Sequence, residues 1–195
     1  MTTTKSSTRR TSNTTDLALI AVFAALIAVC SVAAALPFGV NGVPLTLQMF
    51  AIFLCGAVLG ARRGFFAVLL YLAVGAAGLP IFAGGASGLA PFAGVTGGYL
   101  IAFPFAALIV GLVVERAHRS NVAVTAAVVA VGGVLAVLVV WIAGSVGISL
   151  YADTPFGSTL KGAAAYIPAD LVKLAVAAVV AAAVHRAFPT LLSRR

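Results

Sequence analysis

The string "AYIPADLVKLAV" (165–176) places two opposite charges, Asp170 and Lys173, inside a long apolar run. Residues three apart share one helix face, so both side chains project to the same side. An ionisable group near the middle of a bilayer costs at least ~2.5 kcal/mol on insertion scales and marks a functional site by default. The chemistry open to this pair is recognition. A carboxylate accepts N–H bonds and an ammonium donates to a carbonyl oxygen. Together they match a small polar head bearing both N–H and C=O, such as a urea or an amide, and charge-assisted bonds in a dry site are strong and selective. The alternative is a structural ion pair that holds its helix to the bundle, although a buried pair seldom adds net stability over an apolar replacement. Tyr166 lies four residues before Asp170 on the same face. Pro168 removes a backbone N–H close by, which favours a kink.

The elements that must position these groups are membrane helices. The 195 residues are 63% hydrophobic and 8% charged, with a mean hydropathy of +1.18, whereas soluble domains carry roughly 25% charged residues. A hydrocarbon core about 30 Å thick needs roughly 20 helical residues. Six segments qualify, some of them short: 17–36, 46–61, 64–79, 95–114, 122–150 and 163–185. The net charge of +8 does not mark a nucleic-acid surface, because the basic residues fall in short clusters between apolar runs. With the N-terminus inside, the inner side receives Lys5, Arg9, Arg10, Arg62, Arg63, Arg116, Arg119, Arg186, Arg194 and Arg195, and the outer loops receive only Lys161. That asymmetry satisfies the positive-inside rule. The expectation is an all-α integral membrane protein of six transmembrane helices, N-in and C-in. Residues 1–16 form a polar disordered cytoplasmic tail, 17–186 the membrane domain, and 187–195 a basic cytoplasmic tail. "SVAAALPFG" mimics a signal-peptidase site, yet Leu17–Leu36 is long enough to span and exceeds a typical signal h-region. If the last span begins near Ala163 at the outer face, Asp170 lies about 10 Å and Lys173 about 15 Å down.

The outer connections are rich in Gly and Pro and still apolar. One such as "IFAGGASGLAPFAG" is expected to fold back on the bundle as a lid rather than hang free. Asn41, in the first outer loop, is a candidate polar contact for a ligand. Cys30 and Cys55 lack metal-ligand spacing and read as packing. His118 and His185 fall at cytoplasmic helix ends. Arg62 and Arg63 read as topogenic, Asp16 as a helix N-cap, and Glu115 and Arg116 as solvated. Trp141 packs either on the pocket or on neighbouring helices. No metal cluster, cofactor motif or Walker-type loop is present in the sequence, and no nucleophile with a base sits at the depth of Asp170, so an intramembrane enzyme is disfavoured.

"YIPADLVK" (166–173) resembles the Pro-x-Asp-x-x-Lys element of the BioY family, the biotin-binding S components of energy-coupling factor (ECF) transporters. "VPLTLQMFAIFLCGAVLGARRG" (43–64) and "GLPIFAGGASGLAPFAGVTGGYLIAFP" (78–104) resemble two further family segments in the same order. The resemblance implies a six-helix S-component fold in the bacterial plasma membrane and biotin as ligand. It also implies a membrane coupling protein and two cytoplasmic ATPases as partners, with no cofactor and no metal. By that carry-over Asp170 and Lys173 hold the ureido ring, with Tyr166 beside them. Thr46 and Gln48 belong to a first lid, and Gly97, Gly98 and Tyr99 shape the wall under a second. In the family, alanines at small-xxx-small spacing on the first helix face the coupling protein. Here Ala21 and Ala25, and also Ala24 and Ala28, have that spacing, and packing within the bundle is the alternative. The loop 79–98 has no Arg or Lys to receive a carboxylate, which leaves backbone N–H groups, Ser87, Thr96 or water. The rival readings are an S component for another vitamin and a proton-coupled carrier using Asp170 as relay.

Overall fold

The computed structural model describes residues 8–33, 35, 42–117 and 121–189, with the backbone alone for 8–13. The helices run α1 (Thr8–Val32), α2 (Gln48–Leu59), α3 (Ala61–Ala76), α4 (Gly97–Arg116), α5 (Val122–Ala152), α6 (Phe156–Ala163) and α7 (Ile167–Ala187). No strand occurs among the described residues. Among the described residues four stretches are long and apolar enough to cross a membrane: Thr14–Val32, Gly97–Arg116, Val122–Ala152 and Phe156–Ala187. A helix that is apolar all round belongs in the interior, and α2 follows that rule. All of its residues except Phe50 are buried, and α1, α3, α4 and α7 pack around it.

One end of the bundle is tied by backbone. Gly60, at φ +84°, reverses the chain between α2 and α3 in a single residue, a conformation that suits glycine. Helix α4 passes directly over this turn, since a Cβ on Gly111 would lie 2.3 Å from Ala61 N. Glu115 is therefore not solvated: its Oε1 accepts a 2.8 Å hydrogen bond from Ala61 N, an orphan donor at the start of α3. Asp16 is not an N-cap either. Helix α1 begins at Thr8, and Asp16 instead pairs with Arg63 at 2.9 Å. His185 Nε2 bonds Ala57 O at 2.7 Å. These contacts gather Arg62, Arg63, Arg116 and Arg186 at one end. His118 lies outside the described residues.

At the opposite end the connection expected as an outer loop (151–162) is partly helical, and the last long helix starts at Ile167 rather than near 163. Short helix α6 and a 3-10 turn (Ala164–Tyr166) precede α7. Pro168 sits in the first turn of α7, where its missing N–H has no helical partner to lose, so it starts a helix rather than kinking one. Trp141 Nε1 donates to Leu160 O at 3.0 Å and ties α5 to α6. The loop after α3 folds back on the bundle through Phe82, which is 2% exposed. The Phe82 ring occupies a notch at Gly75, where a Cβ would lie 2.4 Å from it, and meets Tyr71 and Phe92 edge-on at 5.5 and 5.7 Å. Gly88 N donates to Gly75 O at 2.8 Å, and Thr96 Oγ1 to Pro91 O at 2.8 Å.

Candidate ligand-binding site

A cavity of about 230 Å³ opens at the end away from the arginines. Its base carries Asp170 and Lys173 from the first two turns of α7. Helix α4 contributes Tyr99, Leu100 and Phe103, helix α2 Gln48 and Met49, and α5 Val140. The residues 43–46 and Phe82, Ala83, Ala86 and Pro91 cover it. Lys173 Nζ donates to Asp170 Oδ1 at 2.8 Å, and the two side chains are only 10% and 13% exposed. Among the described residues they bond to each other and to no third group. The pair is thus neutral overall, nearly dry, and turned toward a space rather than into packing. The start of a helix also favours a negative charge, which suits Asp170.

Tyr99 Oη is buried and has no hydrogen-bond partner. A buried hydroxyl left unpaired costs about 1–3 kcal/mol, and Tyr99 is among the residues that line the cavity. Its ring is held from behind by Gly144 of α5, where a Cβ would lie 2.2 Å from Cζ. Tyr166 Oη donates to Val43 O at 2.6 Å and pins the first loop to the start of α7. Thr46 Oγ1 accepts from Gln48 N at 3.3 Å. The Gln48 side chain belongs to a buried polar ring. Ser31 Oγ donates to Gln48 Oε1 (3.5 Å), Gln48 Nε2 donates to Tyr71 Oη (3.0 Å), and Tyr71 Oη reaches Ile81 O (3.2 Å). That ring joins α1, α2, α3 and the covering loop.

The structure brings Asp170, Lys173, Tyr166, Tyr99, Gln48 and Thr46 around one cavity. Gly97 and Gly98 stand behind the wall. A Cβ on Gly97 would strike Phe92 O at 2.1 Å, and one on Gly98 would strike Ala143 O at 2.1 Å. They set the approach of the covering loop and of α5 to α4. Asn41 lies outside the described residues. Trp141, Ser87 and Lys161 do not line the cavity, and Lys161 is exposed. The two alanine pairs separate: Ala21 and Ala25 are exposed, whereas Ala24 is 7% exposed and Ala28 packs on the core. Ser31, Tyr71, Phe82 and Gly144 were not singled out from sequence. Polar Ser31 in an apolar helix was a readable signal, while Gly144 is one glycine among 20. Among the described residues no group of His, Cys, Asp and Glu could hold a metal ion.

The BioY family profile matches residues 2–190. The biotin transporter BioY of Rhodobacter capsulatus is 42% identical over 193 residues, covering 92% of this chain and 98% of that protein. The biotin transporter BioY of Rhizobium etli is 35% identical, covering 93% and 99%. Among solved structures, the S-component for biotin from an ECF-type ABC transporter superposes with a TM-score of 0.81 at 26% identity, covering 93% of this chain and 95% of that one.

Proposed function

Since this chain belongs to the BioY family, we propose that the cavity floored by Asp170 and Lys173 is where it takes up biotin. The protein is a biotin-uptake S component, a substrate-binding subunit and not an enzyme. The observation that carries the site is the neutral, nearly dry ion pair facing a cavity of about 230 Å³. The ureido carbonyl accepts from Lys173 Nζ and a ureido N–H donates to Asp170, which matches donor to acceptor on both sides. Met49, Leu100, Phe103 and Val140 offer apolar surface to the fused sulfur ring. The unpaired Tyr99 hydroxyl supplies one further hydrogen bond.

The membrane arrangement we favour has α1–α5 and α7 crossing, both termini inside, and α6 at the outer surface of the bacterial plasma membrane. Helix α2, with 12 residues, is about 18 Å long, shorter than a span; its neighbours shelter it, so its ends need not reach both headgroup layers. The open face of α1 at Ala21 and Ala25 suits close approach by a membrane coupling protein, which would link the subunit to two cytoplasmic ATPases. Titration calorimetry of the detergent-purified protein tests the site. Biotin should bind the parent tightly. Asp170→Asn and Lys173→Met should each weaken it by 30-fold or more, since losing one member of a buried charge pair costs about 2–5 kcal/mol. Unchanged affinity in both variants rules the site out.

A further inference from the structure

Biotin has two polar ends, the ureido ring and a valerate carboxylate, and the cavity is built for only one of them. Among the described lining residues the sole cation is Lys173, and its ammonium is already matched by Asp170 at 2.8 Å. The residues 36–41 of the first loop read "LPFGVN" and carry no charge. Lys161 is exposed on α6 and lies outside the lining. The polar groups at the mouth are neutral, and several are engaged: Thr96 Oγ1 on Pro91 O, and Tyr166 Oη on Val43 O. Among the described lining residues the buried hydroxyl without a partner is that of Tyr99, and a phenol donates to an amide carbonyl as well as to a carboxylate.

A carboxylate brought into this space would meet an ion pair with no net charge and would lose its hydration without a counter-ion, which is costly. Its charge therefore adds nothing to affinity, and the tail gains by reaching toward solvent. A way out exists. Between the lining residues Ala83 and Ala86 the chain turns through Gly84 and Gly85, both exposed, with no atom within 4 Å of where a Cβ would stand.

Resting on the functional reading above, we propose that this protein recognises biotin by its ring alone and also takes neutral acyl derivatives of it: the primary amide, and the amide formed with the side-chain amine of lysine. The extra length of the lysine conjugate would leave over the exposed, side-chain-free stretch at Gly84 and Gly85.

Calorimetry on the full-length, detergent-purified protein with free biotin, biotin primary amide and the lysine conjugate tests this. Both amides should bind within about tenfold of the free acid. Lys173→Met should weaken all three ligands in parallel, because the lysine serves the ring. Free biotin binding with both amides about a hundredfold weaker overturns the proposal and leaves the functional reading standing. A Lys173→Met loss confined to the free acid overturns it as well, by assigning the ammonium to the carboxylate. Binding of the primary amide with exclusion of the lysine conjugate refutes the exit path. Failure of free biotin itself to bind removes the functional reading and this proposal together.

Discussion

Replacing Tyr99 by phenylalanine separates a ligand-binding hydroxyl from a structural one through the sign of two effects. In the free protein Tyr99 Oη is buried without a partner, and such a group costs about 1–3 kcal/mol. Phenylalanine keeps the ring that fills the notch at Gly144 and deletes only the unsatisfied oxygen. The ligand-free variant should therefore be more stable than the parent. For a chain of this size each kcal/mol moves the midpoint by roughly 2–4 °C, so a rise of about 2–12 °C is expected in a detergent melt. Biotin binding should move the other way. One hydrogen bond of about 0.5–1.5 kcal/mol is lost, which weakens affinity by about 2- to 12-fold at ~1.4 kcal/mol per decade. The stabilisation conferred by saturating biotin should shrink accordingly. A drop in ligand-free stability with unchanged affinity refutes the reasoning, because it means the hydroxyl is satisfied without ligand.

Gly144→Ala acts on the same ring from behind. A methyl 2.2 Å from Cζ forces Tyr99 toward the cavity, and overpacking of about 1–3 kcal/mol should appear as a roughly 5- to 100-fold loss of biotin affinity by calorimetry. Ser31→Ala removes a donor to Gln48 and leaves its carbonyl oxygen unpaired, so a detergent melt should fall by about 2–6 °C. Ala25→Trp, on the open face of α1, should leave biotin binding intact and abolish co-purification with a coupling subunit. Ala24→Trp, at a position 7% exposed, should destabilise the fold itself.

Charge placement carried much of the architecture before any coordinates. The clusters at 62–63, 116 and 186 do gather at one end, and Asp170 and Lys173 lie toward the other, because charges have few tolerable positions in an apolar chain. The three motifs and the family match agree for the same reason: they contain the residues that the cavity uses. What sequence hid was set by contacts between distant segments. Glu115 looked like a solvated helix end, yet the donor it caps is Ala61 N, 54 positions away. Pro168 reads as a kink when the last span is started near 163, whereas α7 begins only at Ile167. Whether Ala21/Ala25 or Ala24/Ala28 faced outward could not be read from spacing, since both pairs have it. Tyr71 and Gly144 act only through partners on other helices, and no local pattern announces them.

Most of the cavity's cover is fastened differently from the helices beneath it, and that difference fits a binding subunit. At the arginine-rich end, backbone lies on backbone: a Cβ on Gly56 would stand 2.3 Å from Ala107 O, and one on Gly64 3.0 Å from Cys55 O. Contacts of that kind cannot slide without breaking helix packing, because interiors at close-packed density do not deform gradually. At the cavity end α4 also lies on backbone, at Gly98 against Ala143 O and at Gly97 against Phe92 O, but the rest of the cover is fastened by separable bonds, namely Tyr166 to Val43, Thr96 to Pro91 and Gly88 to Gly75, and by Phe82 seated at Gly75. Each such bond is worth about 0.5–1.5 kcal/mol net, so thermal motion can release them one at a time while the base stays assembled. The network of Ser31, Gln48, Tyr71 and Ile81 lies at the cavity end and ties α1 to the cover. Any displacement of α1 by a docked partner would therefore reach the cover of the cavity through three side chains, and a bound ligand that holds the cover shut would bias α1 in return, since coupling of this kind is reciprocal.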